Sequence, residues 1–190
     1  MKVSLSWLKD YVDINMPVGK LADMLTMAGL EVEAVEDRYA WMHNVVVGFI
    51  AAVEAHPRAD KLKLCRVQTA HGSHHVVCGA PNAAEGMLAP LALPGCEFPN
   101  GLRITESVIR GERSEGMLCS QGELGLGTDR SGLMALEKDT PVGTPLNQAL
   151  GLNDMVLTIG LTPNRSDCLS LFGIAREIAG FTGTRIRRPD

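Results

Sequence analysis

A change of periodicity in the middle of the 190-residue chain most limits the folds that it can adopt. Between residues 39 and 148, short apolar runs of strand type alternate with turns rich in glycine and proline. Strands are predicted in this segment at 45–53, 63–69, 75–78, 88–93 and 102–110. Five short strands at this spacing indicate a small closed barrel, and among such barrels the OB-fold is the common one that binds oligonucleotides.

The two flanking segments show helical spacing instead. Their predicted elements are helices at 4–11, 19–29 and 169–179 and strands at 30–35 and 155–159. Ser166 or Asp167 could cap the last helix, after a turn. The ends resemble each other in character more than either resembles the middle. We therefore predict an α+β fold in which a five-stranded OB-fold barrel, residues 39–148, is inserted into a small split helical or α+β domain, residues 1–38 with 149–190.

The run from residue 56 to residue 67 is basic, although the whole chain carries a net charge of −4. It holds four cations against one acid, and the cations are Arg58, Lys61, Lys63 and Arg66. Phosphate backbone is the usual partner of such a run, because Lys and Arg displace its condensed counterions. A solvated strand edge is the alternative, since lysine on an exposed edge blocks pairing between sheets. The run alone leaves both open.

A second, weaker basic site is predicted around Gly111. Arg110 and Arg113 flank this glycine, where backbone could approach a phosphate closely. Glu112 and Glu115 dilute the charge. Aromatic residues make up 4% of the chain, which argues against a stacking platform for single-stranded nucleic acid.

The chain shows no catalytic or metal-binding pattern. The glycine-rich run 122–127 has the wrong order for a dinucleotide or phosphate loop and indicates a turn. Ser120 lacks the surroundings of a nucleophile elbow. His71, His74 and His75 indicate a solvated loop rather than a metal site, because no second ligand cluster follows them. We therefore expect no catalytic residue, no metal and no cofactor in this chain.

The sequence also predicts a cytoplasmic protein. No apolar run reaches the roughly 18 residues that a membrane span needs, and the N-terminus lacks a secretory signal. The five cysteines show no disulfide framework and no paired zinc-ligand spacing, so free thiols are expected.

Several separated motifs resemble the tRNA-binding OB-fold of synthetase-associated proteins. They are HPRADKL at 56–62, Cys65 and Val67, VCGAPN at 77–82, RGERSEGMLCS at 110–120 and ELG at 123–125. The termini narrow the resemblance. VSLSWLKDYV at 3–12, TPNRSDCLS at 162–170 and GIARE at 173–177 resemble the start of the bacterial phenylalanine–tRNA ligase beta subunit. The resemblance covers the whole chain.

This resemblance implies a role in protein biosynthesis that the chain does not perform alone. In the family, the beta subunit is several times longer and carries its editing site, magnesium site and anticodon-binding module in later domains. The alpha subunit holds the site that joins phenylalanine to tRNA with ATP, and the enzyme is a tetramer of two alpha and two beta chains. The chain is then expected to be a non-catalytic N-terminal fragment whose partners are tRNA and the alpha subunit, with no membrane contact.

The RNA-binding residues that the charge pattern predicts are those of the two basic sites. They are Arg58, Lys61, Lys63 and Arg66 as the principal patch, and Arg110 and Arg113 as the lesser one. Two rival interpretations stay open. A freestanding tRNA-binding module would need neither flanking segment, and a structural interaction domain without RNA contact is kept open by the net charge of −4.

Overall fold

The computed structural model describes residues 1–188 and shows two compact units. Met1–Arg38 and the chain from Asn153 onward form the first unit, and Tyr39–Leu152 forms the second. Within the described residues, no helix is long and apolar enough to cross a membrane.

The first unit is built on a three-stranded antiparallel sheet. Its strands, in spatial order, are β1 (Lys2–Ser4), β10 (Met155–Gly160) and β2 (Glu31–Asp37). In this register Leu157 of the central strand lies opposite Val3 on one side and Val35 on the other. The helices of this unit are α1 (Leu5–Tyr11), α2 (Val18–Met27) and α5 (Leu171–Thr182). One apolar core combines residues from both ends of the chain.

Serine caps set the starts of two helices. Trp7 N–H donates to Ser4 Oγ (3.2 Å) at the start of α1, a cap that the sequence analysis did not identify. For α5 the predicted cap at 166 or 167 is wrong. Gly173 N–H donates instead to Ser170 Oγ (3.0 Å), because the chain over 163–168 forms a 3-10 helix before the α-helix begins.

The second unit contains a curled five-stranded antiparallel sheet. Its strands, in spatial order, are β5 (Gly72–Cys78), β4 (Lys63–Thr69), β3 (Val45–Ala55), β6 (Leu88–Ala92) and β9 (Met117–Leu118). The register between β3 and β4 shifts between Ile50 and Ala52, a bulge of the kind that bends a strand and lets a sheet curl. The α+β class and the OB-like sheet are confirmed.

The predicted fifth strand at 102–110 is wrong. That segment supplies only β7 (Ser107–Ile109), which pairs with β8 (Glu112–Ser114) as a separate hairpin. The fifth strand of the sheet is β9. The segment between the hairpin and β9 lies beside β5, where Glu115 N–H donates to the carbonyl of His75 (2.7 Å). This hydrogen bond joins the segment before β9 to β5 and so connects the two edges of the curled sheet.

Two short helices complete the second unit, α3 (Gln121–Leu124) and α4 (Leu146–Ala149). The unit ends at Leu152, four residues later than the predicted boundary at 148. The reason is packing, because Leu150 and Leu152 contact the same core cluster as Leu146.

Candidate nucleic-acid interface

The start of the basic run is a closed turn. His56 N–H donates to the carbonyl of Leu62 (3.1 Å), and Leu62 N–H donates to the carbonyl of Ala59 (3.0 Å). Arg58 N–H donates to the ring Nδ1 of His56 (3.1 Å). We call residues 56–62 the basic turn. Its own bonds hold its backbone, and the side chains of Arg58 and Lys61 are exposed.

The tip of the β7–β8 hairpin lies against the basic turn. Ile109 and Glu112 are paired, and the two residues between them both have positive φ, 53° at Arg110 and 93° at Gly111. Positive φ at both positions is typical of a type I′ turn, which requires the freedom of glycine at one of them. His56 Nε2 lies 3.2 Å from the carbonyl oxygen of Ile109.

The guanidinium of Arg58 reaches the same tip. A Cβ atom placed on Gly111 would lie 2.9 Å from Arg58 Nη1. The sequence suggested that a phosphate could approach the backbone at Gly111. In the structure the Arg58 guanidinium lies beside that position. Arg110 is exposed beside it. Three exposed cations, Arg58, Lys61 and Arg110, thus belong to two loops that touch each other.

Lys63 has protein partners for its ammonium group. Its Nζ donates to the carbonyls of Pro81 (2.7 Å) and Ala83 (2.9 Å), and the residue is half-buried. In β4 it lies on the face of the buried Cys65, whereas Arg66 lies on the other face and is exposed. Of the two predicted cations of this strand, Lys63 therefore faces protein carbonyls and Arg66 faces solvent.

Arg113 is committed to two carboxylates. Its Nη2 lies 2.6 Å from Glu106 Oε2 and 3.4 Å from Glu115 Oε1. The hydrogen bond that Arg113 donates to Glu106 raises the pKa of the arginine. Glu115 Oε2 also accepts the N–H of His75 (3.0 Å), which lowers the pKa of that carboxyl. The charge of Arg113 is thus balanced locally, and this side of the hairpin is a weaker phosphate surface than its tip.

Two cysteines meet on the inner face of β4 and β5. The thiol of Cys65 hydrogen-bonds to Cys78, whose Sγ also accepts the N–H of Ala80 (3.4 Å). The hydrogen bond from Cys65 and that N–H lower the pKa of Cys78, helped by the charge of Lys63, and the same pairing raises the pKa of Cys65. Cys78 lines a cavity of about 330 Å³ together with Gly79 and Leu133 among others.

We expect Cys78 to be the first cysteine that iodoacetamide alkylates near neutral pH, because only thiolates react. Burial raises the pKa of Cys96, Cys119 and Cys168, so these thiols serve as internal controls. Peptide mass mapping over a pH series measures the order, and labelling of Cys78 should begin at lower pH than that of the others. Labelling of Cys96 or Cys119 before Cys78 would contradict this assignment.

One acidic cluster of the first unit has the ligand types of a metal site. Within residues 1–188 it is the only such group, and His71, His74 and His75 do not form another. The cluster consists of Asp167, Cys168 and Glu177, and Arg165 already fills it. The guanidinium forms ion pairs with Asp167 (3.3 Å) and Glu177 (3.1 Å) and donates to the carbonyl of Ala28 (3.2 Å). The arginine charge takes the place that a metal ion would occupy between these carboxylates. We therefore interpret the cluster as a set of ion pairs that stabilises the first unit.

Comparison with known proteins places the barrel in a described family. The family described as putative tRNA binding domain matches residues 45–145. Three curated relatives named phenylalanine–tRNA ligase beta subunit align with the whole chain. They come from Syntrophus aciditrophicus (53% identity, 24% of the relative covered), Thermosynechococcus vestitus (47%, 23%) and Geobacter sulfurreducens (47%, 24%). The chain spans about a quarter of the length of these relatives.

Proposed function

The chain belongs to the putative tRNA-binding domain family through residues 45–145, and from this premise we propose that it binds tRNA as a non-catalytic part of a phenylalanine–tRNA ligase beta subunit. Its alignment over the full chain with beta subunits supports the proposal. The complete enzyme would attach phenylalanine to tRNA in the cytoplasm with ATP and magnesium. Those sites would lie on other domains and on the alpha subunit, in a tetramer of two alpha and two beta chains.

We also propose that the two compact units are separate domains. The sequence-based boundary assigned residues 149–190 to the split domain. The split domain would instead consist of residues 1–38 with the chain from residue 153 onward, and residues 149–152 would belong to the barrel. The barrel would then be an insertion that presents its basic side to RNA. This organisation favours a beta subunit over the freestanding module, which would need no split domain.

The observation that carries the RNA-binding proposal is the contact between the basic turn and the hairpin tip. It brings Arg58, Lys61 and Arg110 to one exposed region. Asp60 and Glu112 belong to the same two loops, so affinity would depend on the positions of the three cations rather than on net charge. Contacts of this kind position a phosphate backbone and carry little sequence information.

The other predicted cations would contribute less. Arg66 is exposed on the outer face of β4, where it would extend the surface. Lys63 and Arg113 hold their charges against protein groups and would act mainly by supporting the loops. The proposed order of importance therefore places Arg110 above Lys63, the reverse of their order in the sequence-based prediction.

We expect Lys61→Ala to reduce the dependence of tRNA affinity on salt. Each phosphate that a lysine neutralises adds about 0.7 to 0.9 to the slope of log affinity against log salt, so the slope should fall by about that amount. Lys138→Ala is the matched control, because it removes one exposed lysine of the same unit that belongs neither to the basic turn nor to the hairpin. Equal slopes for the wild-type chain and both variants would favour the structural rival, in which the barrel does not touch RNA.

A further inference from the structure

His56 is buried inside a turn whose neighbouring cations are exposed. Its exposed fraction is 5%, and it is one of three buried polar residues in the described chain, with Ser114 and Ser120. A buried imidazole needs partners for its polar atoms, since an unsatisfied one is costly. Both ring nitrogens of His56 have one, and the two partners belong to different loops.

The partners determine which nitrogen carries the proton. Arg58 N–H is a donor, so Nδ1 must be the unprotonated acceptor. The partner of Nε2 is the carbonyl oxygen of Ile109, so Nε2 must carry the hydrogen. The geometry therefore selects the neutral imidazole with its proton on Nε2. In this form the ring connects the backbone of the basic turn to the backbone of the hairpin tip.

We propose that His56 is a positioning residue for RNA: it fixes the hairpin tip against the basic turn so that Arg58, Lys61 and Arg110 meet the phosphate backbone as one rigid surface. The inference rests on the proposed function and adds to it the residue that assembles the site. His56 itself is buried and contacts no phosphate.

Preorganisation is the physical reason for such a residue. Two loops that move independently must lose conformational freedom when they bind one RNA backbone together, and this loss weakens binding. A fixed ring between them removes that cost before RNA arrives. The Arg58 guanidinium lies 2.9 Å from where a Cβ atom on Gly111 would be, so a cation of the basic turn reaches the residue next to Arg110.

His56→Asn keeps one hydrogen bond of the ring, the one to Arg58 N–H, and removes the other, the one to the carbonyl of Ile109. The asparagine oxygen can still accept the N–H two residues on, in an Asx-turn, so the basic turn keeps its bond to Arg58. The shorter side chain does not reach Ile109. We expect His56→Asn to lower tRNA affinity roughly fivefold, the order of one partly exposed charge contact. His71→Asn, at an exposed histidine of the β4–β5 turn, should leave affinity unchanged.

The decisive readout is the effect of Arg110→Ala in two backgrounds. In the wild-type chain this substitution should weaken binding roughly fivefold. With His56→Asn present, it should weaken binding less than about twofold, because a hairpin that is no longer fixed contributes little to a shared surface. A role confined to stability would leave the Arg110 effect the same in both backgrounds, as measured on folded protein below its unfolding transition.

Two further measurements keep the inference testable if His56→Asn fails to fold. His56→Gln can still donate to Ile109 from the position of Nε2 and should retain the full Arg110 effect. The ¹⁵N shifts of the wild-type imidazole should show the proton on Nε2, and a proton on Nδ1 would overturn the inference. Two outcomes of the main experiment also decide the matter. If His56→Asn binds tRNA as tightly as the wild-type chain and Arg110→Ala still weakens its binding roughly fivefold, the role of His56 is wrong but the proposed function stands. If Arg110→Ala has no effect in the wild-type chain, Arg110 does not belong to a shared RNA-binding surface.

Discussion

Reversing the charge of both Arg58 and Arg110 should lower tRNA affinity by roughly 100-fold at low salt. Each change from arginine to glutamate removes a phosphate contact and adds a repulsive charge, and about 1.4 kcal/mol at each position corresponds to a factor of ten. Because the Arg58 guanidinium reaches Gly111, the direct neighbour of Arg110, both substitutions alter the charge of the same exposed region. Fluorescence anisotropy with labelled tRNA at several salt concentrations measures the loss, which should shrink as salt rises.

The matched control for this prediction is Arg103→Glu combined with Lys138→Glu. It makes the same change in net charge at two exposed cations of the second unit that lie outside the basic turn and the hairpin tip. We expect it to lose far less affinity than the first pair. Equal losses in the two double variants would show that overall charge governs binding and not the surface formed by the two loops.

Gly173→Ala should unfold or strongly destabilise the first unit. Gly173 is buried in the first turn of α5, and a Cβ atom there would overlap the carbonyl oxygen of Asp167 and lie 3.0 Å from the Cα of Cys168. Both neighbours are backbone atoms, which cannot move aside as the end of a side chain can. We expect a loss of about 3 kcal/mol or more in the free energy of unfolding, toward the upper range for overpacked cores.

Gly180→Ala is the matched control in the same helix. Gly180 is exposed, and apart from its chain neighbours and the backbone of its own helix a Cβ atom there would have no heavy atom within 4 Å. Alanine should therefore stabilise the helix by about 0.5–1 kcal/mol through its higher helix propensity. Urea denaturation followed by circular dichroism compares the two variants. A Gly173→Ala protein as stable as Gly180→Ala would contradict the close approach of α5 to the chain before it.

Periodicity predicted the long elements of this fold and missed the short ones. The helical spacing of α1 and α2 and the alternation in β2 and β10 are visible because several residues repeat each pattern. The strand β9 has two residues, too few to show a period of two. The strand predicted at 102–110 covered only the first arm of the hairpin, and the turn was missed. Arg110 gave no sign of a turn, because outside glycine a positive φ is commonest at asparagine and aspartate.

The candidate site was predicted only in part, for a related reason. The charge and the Pro57 turn of the basic run are local features that a sequence displays directly. The commitment of Lys63 to Pro81 and Ala83 depends on a loop that returns from nearly twenty residues away. No spacing rule connects His56 to the carbonyl of Ile109, 53 residues later. A histidine directly before proline in a basic turn was the one signal that could have marked it.

Titration of unlabelled tRNA into the ¹⁵N-labelled chain, followed by amide NMR, tests the account most directly. Binding through the shared surface predicts that shift changes or line broadening concentrate on two segments, residues 56–62 and residues 109–112. The control pair Arg103→Glu with Lys138→Glu should keep this pattern, and Arg58→Glu with Arg110→Glu should lose it. Changes confined to the first unit, or a spectrum that tRNA leaves unaltered at both segments, would contradict the claim that the basic turn and the hairpin tip form the RNA-binding surface.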